Sequence, residues 1–378
     1  MKKVYLLSLS FLLAFSSYSQ YATDSFSFGG TMRKYLLYIP TSYTGTHAVP
    51  FVMVLHGLGD DINNFKDIRF EDVADTANFI FAIPQALVDP LSQATAWNSG
   101  AGNFGVTLNA NVDDVGFLNA LIDTVAAHYM LDQARLFSTG FSMGGFMSNR
   151  LACELNSRIA AIASVSGTIG NGITCHPTRA IPVAHFHGTS DQVVLYHNNL
   201  YGNDPEALVA YWAAHDHCDS IPSSIDTLPH ISTDNLQIVH YVYPHGNYGT
   251  DVEFWKVING THEWLGPTGH DINYTVAIWD FFNKYKWLPQ VTGIDGLADN
   301  ASVKIYPNPA SSHIDIDLFD IGFTHSVIEI RDISGRLLYS KISDEMAISI
   351  DTKEFERGMY IVQVTNGGTR TSKKICLL

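Results

Sequence analysis

Positive charge is in short supply in this chain: 22 Lys and Arg stand against 37 Asp and Glu, a formal net charge of −15 over 378 residues. Nucleic acid and anionic membranes both reward a basic face, so the balance argues against either as a partner. Metal signatures are missing as well. Despite 16 histidines there is no H-E-x-x-H and no paired-cysteine spacing, and neither a metal nor a cofactor is expected. Beyond the first 20 residues no stretch of about 18 apolar residues occurs, so no integral membrane span is expected in the mature chain. Cysteine is limited to Cys153, Cys175, Cys218 and Cys376. What the chain does have is length and 46% hydrophobic content, enough for a sizeable core and more than one domain.

The N-terminus reads as an address. Lys2 and Lys3 precede an apolar run from Val4 to Phe15, and Ser17 and Ser19 place small residues where a signal peptidase reads, so 1–20 is expected to be a signal peptide. No cysteine follows that run to accept a lipid, and the mature chain is expected to be exported and soluble. Exported proteins form disulfides. Cys376 lies in a separate C-terminal region, which leaves three cysteines in the body and at most one bridge there. Cys153 with Cys175 is the expected pair, and a buried free thiol at Cys153 is the alternative.

Residues 21–288 alternate strand and helix patterns. Tyr35 to Ile39 reads as an early strand, and Phe51-Val-Met-Val-Leu55 is the unbroken apolar run of a central parallel strand. Phe65 to Ala77 is expected to be a helix, and Phe79 to Ile83 the next buried strand. Val115, Leu118, Ile122, Val125 and Tyr129 step along one helical face, and Ala160 to Val165 and Ile181 to Phe186 read as two further strands. The pattern predicts an α/β fold with a mostly parallel central sheet covered by helices on both faces, and a ligand site at the strands' carboxyl ends.

Gly140-Phe-Ser-Met-Gly144 fits the G-x-S-x-G nucleophile elbow, in which a serine sits on a tight strand-to-helix turn that only glycine-sized neighbours allow. Two later strand ends carry His187-Gly-Thr-Ser-Asp191 and Asn259-Gly-Thr-His262. Together they give the chain order Ser142, Asp191, His262, in which His262 would move the Ser142 proton while Asp191 fixes the imidazole. Taken singly, a loop Asp or His is more often a solvated surface residue; three at successive strand ends in this order reverse that reading. His185 and His187 lie too close in sequence to face Asp191 across a site. His270 is the rival base, but it precedes Asp271, which reads as the N-cap of the helix carrying Ile272, Val276 and Trp279. His56-Gly-Leu-Gly59, after the first central strand, suits a second oxyanion donor, so the amides of Leu58 and Met143 are the expected oxyanion hole. Trp97, Trp264 and Tyr241-Val-Tyr243 would stack on an aromatic or sugar group, unless they are core and sheet packing. Only 49 positions separate Ser142 from Asp191, too few for a large lid, which predicts an open cleft suited to a polymer.

Composition changes after Trp287. Residues 289–301, with Pro289, Gly293 and Gly296, read as a linker, and 302–378 alternate short strands with turns, which predicts a small β-sandwich without a catalytic cluster.

These blocks resemble a known group. Leu55-His-Gly-Leu-Gly59, Trp97-Asn98, Asp113-Asp-Val-Gly-Phe117, Gly140 to Gly145, His187 to Asp191 and Gly260-Thr-His-Glu-Trp264 look like the polyhydroxybutyrate depolymerase and feruloyl esterase group of α/β-hydrolases, related to carbohydrate esterase family 1. The resemblance spans about residues 28–287. It implies a secreted serine carboxylic-ester hydrolase working through an acyl-enzyme, with Ser142, Asp191 and His262 as triad and Leu58 and Met143 as oxyanion hole. Its substrate would be a feruloyl or acetyl ester of plant polysaccharide, or alternatively a polyhydroxybutyrate. The chain departs from the group at Gly260-Thr-His-Glu-Trp-Leu-Gly266, where relatives often carry Gly-Gly-His-x-Trp-Pro-Gly, and it lacks the cysteine that often precedes the histidine strand, which leaves Cys218 without a mate. Lys304-Ile-Tyr-Pro-Asn-Pro309, Asp332 to Arg336, Arg357-Gly-Met-Tyr360 and Lys373-Lys374 resemble the C-terminal sorting domain of the type IX secretion system. That implies the secretion machinery as partner of 302–378, then release or attachment at the cell surface. A non-catalytic surface binding protein on a hydrolase fold is the reading from another class, and a secreted peptidase would need a gating domain for which the chain has no room.

Overall fold

Phe51 to Leu55 have no exposed surface at all, the mark of a strand covered on both faces, and the rest of the body is arranged around it. The computed structural model describes residues 20–103, 105–287, 303–318, 326–332, 336–366 and 369–377. The expected signal peptide, apart from Gln20, and the expected linker at 289–301 lie outside the described residues. Two compact units lie on either side of the boundary between Pro289 and Gln290.

In the first unit the strands of the main sheet are β1 (Gln20–Phe28), β2 (Thr31–Ile39), β3 (Val49–Leu55), β4 (Ile80–Pro84), β5 (Leu131–Phe141), β6 (Ala161–Val165), β7 (Val183–Gly188), β8 (Ser224–Thr227), β9 (Gln237–Tyr243) and β10 (Val252–Ile258). They form one sheet in the order β1-β2-β4-β3-β5-β6-β7-β10-β9-β8. The six strands from β4 to β10 in that order run parallel, with antiparallel pairs at both margins. Alternation along β3 explains the two cores. Phe51, Met53 and Leu55 face helices α3 (Asp114–Ala126), α4 (Met143–Glu154) and α5 (Pro205–Asp216), while Val52 and Val54 face α1 (Ile62–Phe65), α2 (Glu71–Ala77) and α6 (Tyr274–Phe282). Each fully buried large side chain contributes roughly 1.5–3 kcal/mol, so the sheet is rigid where it presents its strand ends.

Three local expectations are revised. The helix expected from Phe65 to Ala77 is two short helices, because Arg69 adopts a left-handed φ of 61° and ends a 3-10 turn. That break lets Phe70 drop into the core against Phe79 and Phe81. Asp271 is not the N-cap of α6: Asn273 is, through its side chain to the Thr275 amide at 3.1 Å. The helix through Val115 ends at Ala126, so Tyr129 lies beyond it, and Asp113 caps its start. Cys153 and Cys175 form a disulfide that ties the end of α4 to the loop after β6, while Cys218 and Cys376 are free.

The second unit contains β11 (Lys304–Tyr306), β12 (His313–Asp317), β13 (Ser326–Asp332), β14 (Leu337–Ser343), β15 (Ala347–Asp351), β16 (Gly358–Asn366) and β17 (Thr369–Leu377). They form a three-stranded sheet β11-β12-β15 and a four-stranded sheet β14-β13-β16-β17. Ile314, Ile316, Ile348 and Ile350 from one meet Ile328, Ile330, Val362 and Val364 from the other in a common core. Period-two alternation of apolar and polar residues along each strand produces this sandwich.

Candidate active site

Ser142 occupies the corner between β5 and α4 with φ 54° and ψ −119°, a conformation that non-glycine residues rarely hold. Its amide donates to Val165 O at 2.8 Å and its carbonyl accepts from the Phe146 amide at 3.0 Å, so the strained turn is pinned from both sides. The glycines are required by space. A Cβ on Gly144 would collide with the Leu55 carbonyl, and one on Gly140 would meet the Gly144 backbone at 2.5 Å.

Asp191 and His262 arrive from the ends of β7 and β10. Gly188 and Gly260 pack backbone to backbone, leaving no room for a Cβ on Gly188, and the Ser190 amide donates to Gly260 O at 2.9 Å. The two loops therefore converge, and His262 Nδ1 lies 2.8 Å from Asp191 Oδ2. The His262 ring also packs on Phe141, the residue before Ser142, with centroids 4.7 Å apart. Where the resemblance leads one to expect a second glycine, Thr261 bonds the Glu263 carboxylate through its hydroxyl at 2.8 Å and so closes the His262 turn. The Ser142 hydroxyl makes no hydrogen bond among the described residues.

Burial alone would raise the Asp191 carboxyl, but the hydrogen bond and charge of His262 and the amide of Val193 outweigh it and hold the group below the usual carboxylate range. Oδ1 accepts from the amides of Val193 at 2.8 Å and Val194 at 2.9 Å. His187 corrects one expectation: the loop folds back so that its Nε2 is 3.5 Å from Asp191 Oδ2, although the ring is fully buried and donates to Val194 O at 2.8 Å. His270 bonds Asp234 Oδ2 at 2.7 Å and has no contact with Asp191.

On the other side of Ser142 the loop after β3 is set by His56. Its buried ring donates from Nδ1 to Gly57 O at 2.7 Å and accepts at Nε2 from the amide of Ala86 and the side chain of Gln85, each at 3.1 Å. Burial lowers its pKa and keeps it neutral, as this pattern requires. The amides of Leu58 and Met143 are committed to no hydrogen bond among the described residues, which leaves two donors beside Ser142.

The two tryptophans take the packing alternative. Trp97 is wholly buried; its indole N–H donates to His56 O at 2.9 Å, so it props the Leu58 loop from inside the core and offers no face to a substrate. Trp264 packs edge-on against Phe65 and Tyr274 and donates to Thr275 Oγ1 at 3.2 Å. Tyr241 stacks on Phe254 across the sheet. The cavity that opens at Ser142, about 350 Å³, is lined by Leu58, Ala101, Val106, Phe146, Val194 and Tyr201 among others. Apart from Leu58, sequence reasoning missed these residues: Phe146 is on the buried face of α4, and Ala101, Val194 and Tyr201 come from irregular segments with no periodic signal. The Asn98 and Asp114 motif holds that wall: Asp114 accepts from the Asn98 amide and from Arg33, both at 2.7 Å.

His230, Asp234 and Asp271 bring possible ligand atoms within 4.8 Å of one another. Those atoms already bond internally, with His230 on Asp271 at 2.8 Å and the Ile231 and Ser232 amides on Asp271 Oδ1, so the group staples two loops.

Residues 44–201 match the Phospholipase/Carboxylesterase family, and residues 304–377 match the Secretion system C-terminal sorting domain. The body of the chain has the α/β-hydrolase fold. The match at the C-terminal unit indicates type IX export to the cell surface or secretion. The family match covers Ser142 and Asp191 and stops before His262. The chain is 31% identical over 173 residues to Feruloyl esterase B of Piromyces equi, covering 44% of this chain and 31% of that protein. It is 25% identical over 238 residues to a bifunctional acetylxylan esterase/xylanase of Neocallimastix patriciarum, covering 62% of this chain and 31% of the relative. The chain thus spans about a third of the length of these two relatives. Among solved structures, an acetyl xylan esterase from Aspergillus awamori aligns with a TM-score of 0.48 at 15% identity, over 69% of this chain and 99% of its own.

Proposed function

We propose that this α/β-hydrolase is an exported serine carboxylic-ester hydrolase, with Ser142, Asp191 and His262 as its triad and the Leu58 and Met143 amides as its oxyanion hole. The observation that carries the reading is the Asp191 to His262 hydrogen bond beside a strained serine with two uncommitted amides. In the reaction His262 Nε2 takes the Ser142 proton as Oγ bonds the ester carbon, and the amides hold the oxyanion. The alcohol leaves with the proton from His262, and water then releases the acid from the acyl-enzyme by the same steps in reverse.

The substrate we assign is a feruloyl or acetyl ester on plant polysaccharide. Similarity to a feruloyl esterase and an acetylxylan esterase supports the class. The apolar lining and the volume of the cavity beside Ser142 support a large aromatic acyl group over acetyl. The sorting domain at 302–378 fits delivery to a polymer that cannot enter the cell. Initial rates on methyl ferulate, an aryl acetate and a polyhydroxybutyrate film test the assignment. Methyl ferulate should give the highest kcat/KM; preference for the film makes the protein a depolymerase, and no turnover of any ester favours the binding-protein reading.

A further inference from the structure

Three polar side chains lie deeper than the triad, at the ends of β6 and β7: Ser164, His185 and His187, each without exposed surface. Ser164 and His185 are partners across the two strands, His185 stacks on Phe254 and His187 meets Tyr196 edge-on. Desolvating two imidazoles and a hydroxyl in such a place costs stability that apolar residues would not.

Their bonds have one consistent direction. Val194 O can only accept, so His187 Nε2, at 2.8 Å, carries the proton. Burial holds His187 down near pKa 4 and His185 well below its ordinary value, so both rings are neutral and each has one acceptor nitrogen. His187 Nδ1 therefore accepts from His185 Nε2 at 3.1 Å, and His185 Nδ1 accepts from the Ser164 hydroxyl at 2.8 Å. The chain ends on a residue that matters. Val194 gives its own amide to Asp191 Oδ1 at 2.9 Å and forms part of the cavity wall, while His187 Nε2 also stands 3.5 Å from the Asp191 oxygen that receives His262.

We propose that Ser164, His185 and His187 form a polarised hydrogen-bond chain that positions Asp191 and the Val194 wall, with His187 as a positioning residue for the triad. The chain fixes the carbonyl of Val194, whose own amide donates to the Asp191 carboxylate. Loss of the His187 donor frees the 191–194 turn and lets Asp191 leave the His262 ring. This rests on the esterase reading, and the test separates the two.

In the full chain, His187→Leu should lower kcat on an aryl acetate by about 30-fold with KM within about twofold, and His187→Gln, which keeps a donor near the Nε2 position, should recover most of the loss. A folded His187→Leu with wild-type kcat overturns the proposal, as does a glutamine variant no better than leucine. Should His187→Leu fail to fold, Ser164→Ala decides: reduced kcat with an unchanged circular dichroism spectrum supports the chain, and unchanged kcat overturns it. A wild-type protein that hydrolyses no ester sinks the esterase reading instead. The chain is then read by imidazole ¹⁵N NMR, where both rings should be neutral Nε2–H tautomers with slowly exchanging protons. An Nδ1–H tautomer or a charged ring at neutral pH contradicts it.

Discussion

His262 Nδ1 lies 2.8 Å from Asp191 Oδ2 although 71 positions separate the two residues in the chain. The meeting depends on two glycines, Gly188 and Gly260, that let the ends of β7 and β10 touch through their backbones. Asp191→Asn keeps the size of the side chain but turns a pure acceptor into one that can present N–H to His262, favouring the wrong tautomer. We expect kcat to fall by roughly 10³–10⁴ with little change in fold. Stopped assays with circular dichroism check both halves, and a loss under tenfold would remove Asp191 from the triad.

His187 gives a pH signature of stability. Its folded pKa, lowered by burial to about 4, lies below the unfolded value of 6.5, so between those values the unfolded chain binds more protons. The stabilisation is complete above pH 6.5 and is lost as pH falls toward 4. At about 1.36 kcal/mol per pKa unit the upper bound is near 3 kcal/mol. Urea unfolding of wild type and His187→Gln across that range should show the wild type losing more stability on acidification.

The cavity predicts a specificity split. Ala101→Leu adds bulk to the wall beside Phe146 and Val194. We expect kcat/KM on methyl ferulate to fall about tenfold or more while that on an aryl acetate stays within about threefold, since one well-placed contact shifts binding by 1–3 kcal/mol. Equal losses on both esters would place the acyl group elsewhere.

The Cys153–Cys175 disulfide closes a segment of 22 positions. Loop-closure entropy assigns it about 3 kcal/mol. The double variant Cys153→Ala/Cys175→Ala should unfold at lower denaturant by that amount and keep its kcat when folded.

Much of this arrangement is legible in the sequence because the central strands are unbroken apolar runs that stop at glycines. Phe51 to Leu55 ends at His56-Gly57, and Val183–Gly188 ends just before Asp191, so strand ends and their polar residues could be placed in order. Single positions were harder. Nothing local announces that Arg69 turns left-handed to seat Phe70, or that Asn273 caps α6 and leaves Asp271 to the Ile231 and Ser232 amides. Trp97 looks the same in sequence whether it stacks on substrate or fills a core; only the fold shows its indole on the His56 carbonyl. Val106 reaches the cavity from a two-residue strand and Tyr201 from a loop, segments too short for any period to mark them.

Ser142→Ala tests the central claim most directly. The full-length variant and the wild type are compared on methyl ferulate and on an aryl acetate, with substrate binding followed by calorimetry. The account predicts turnover by the wild type, a loss of roughly 10³ or more in the variant, and retained binding. A variant that keeps activity within tenfold of the wild type would contradict the acyl-enzyme and every role assigned around Ser142.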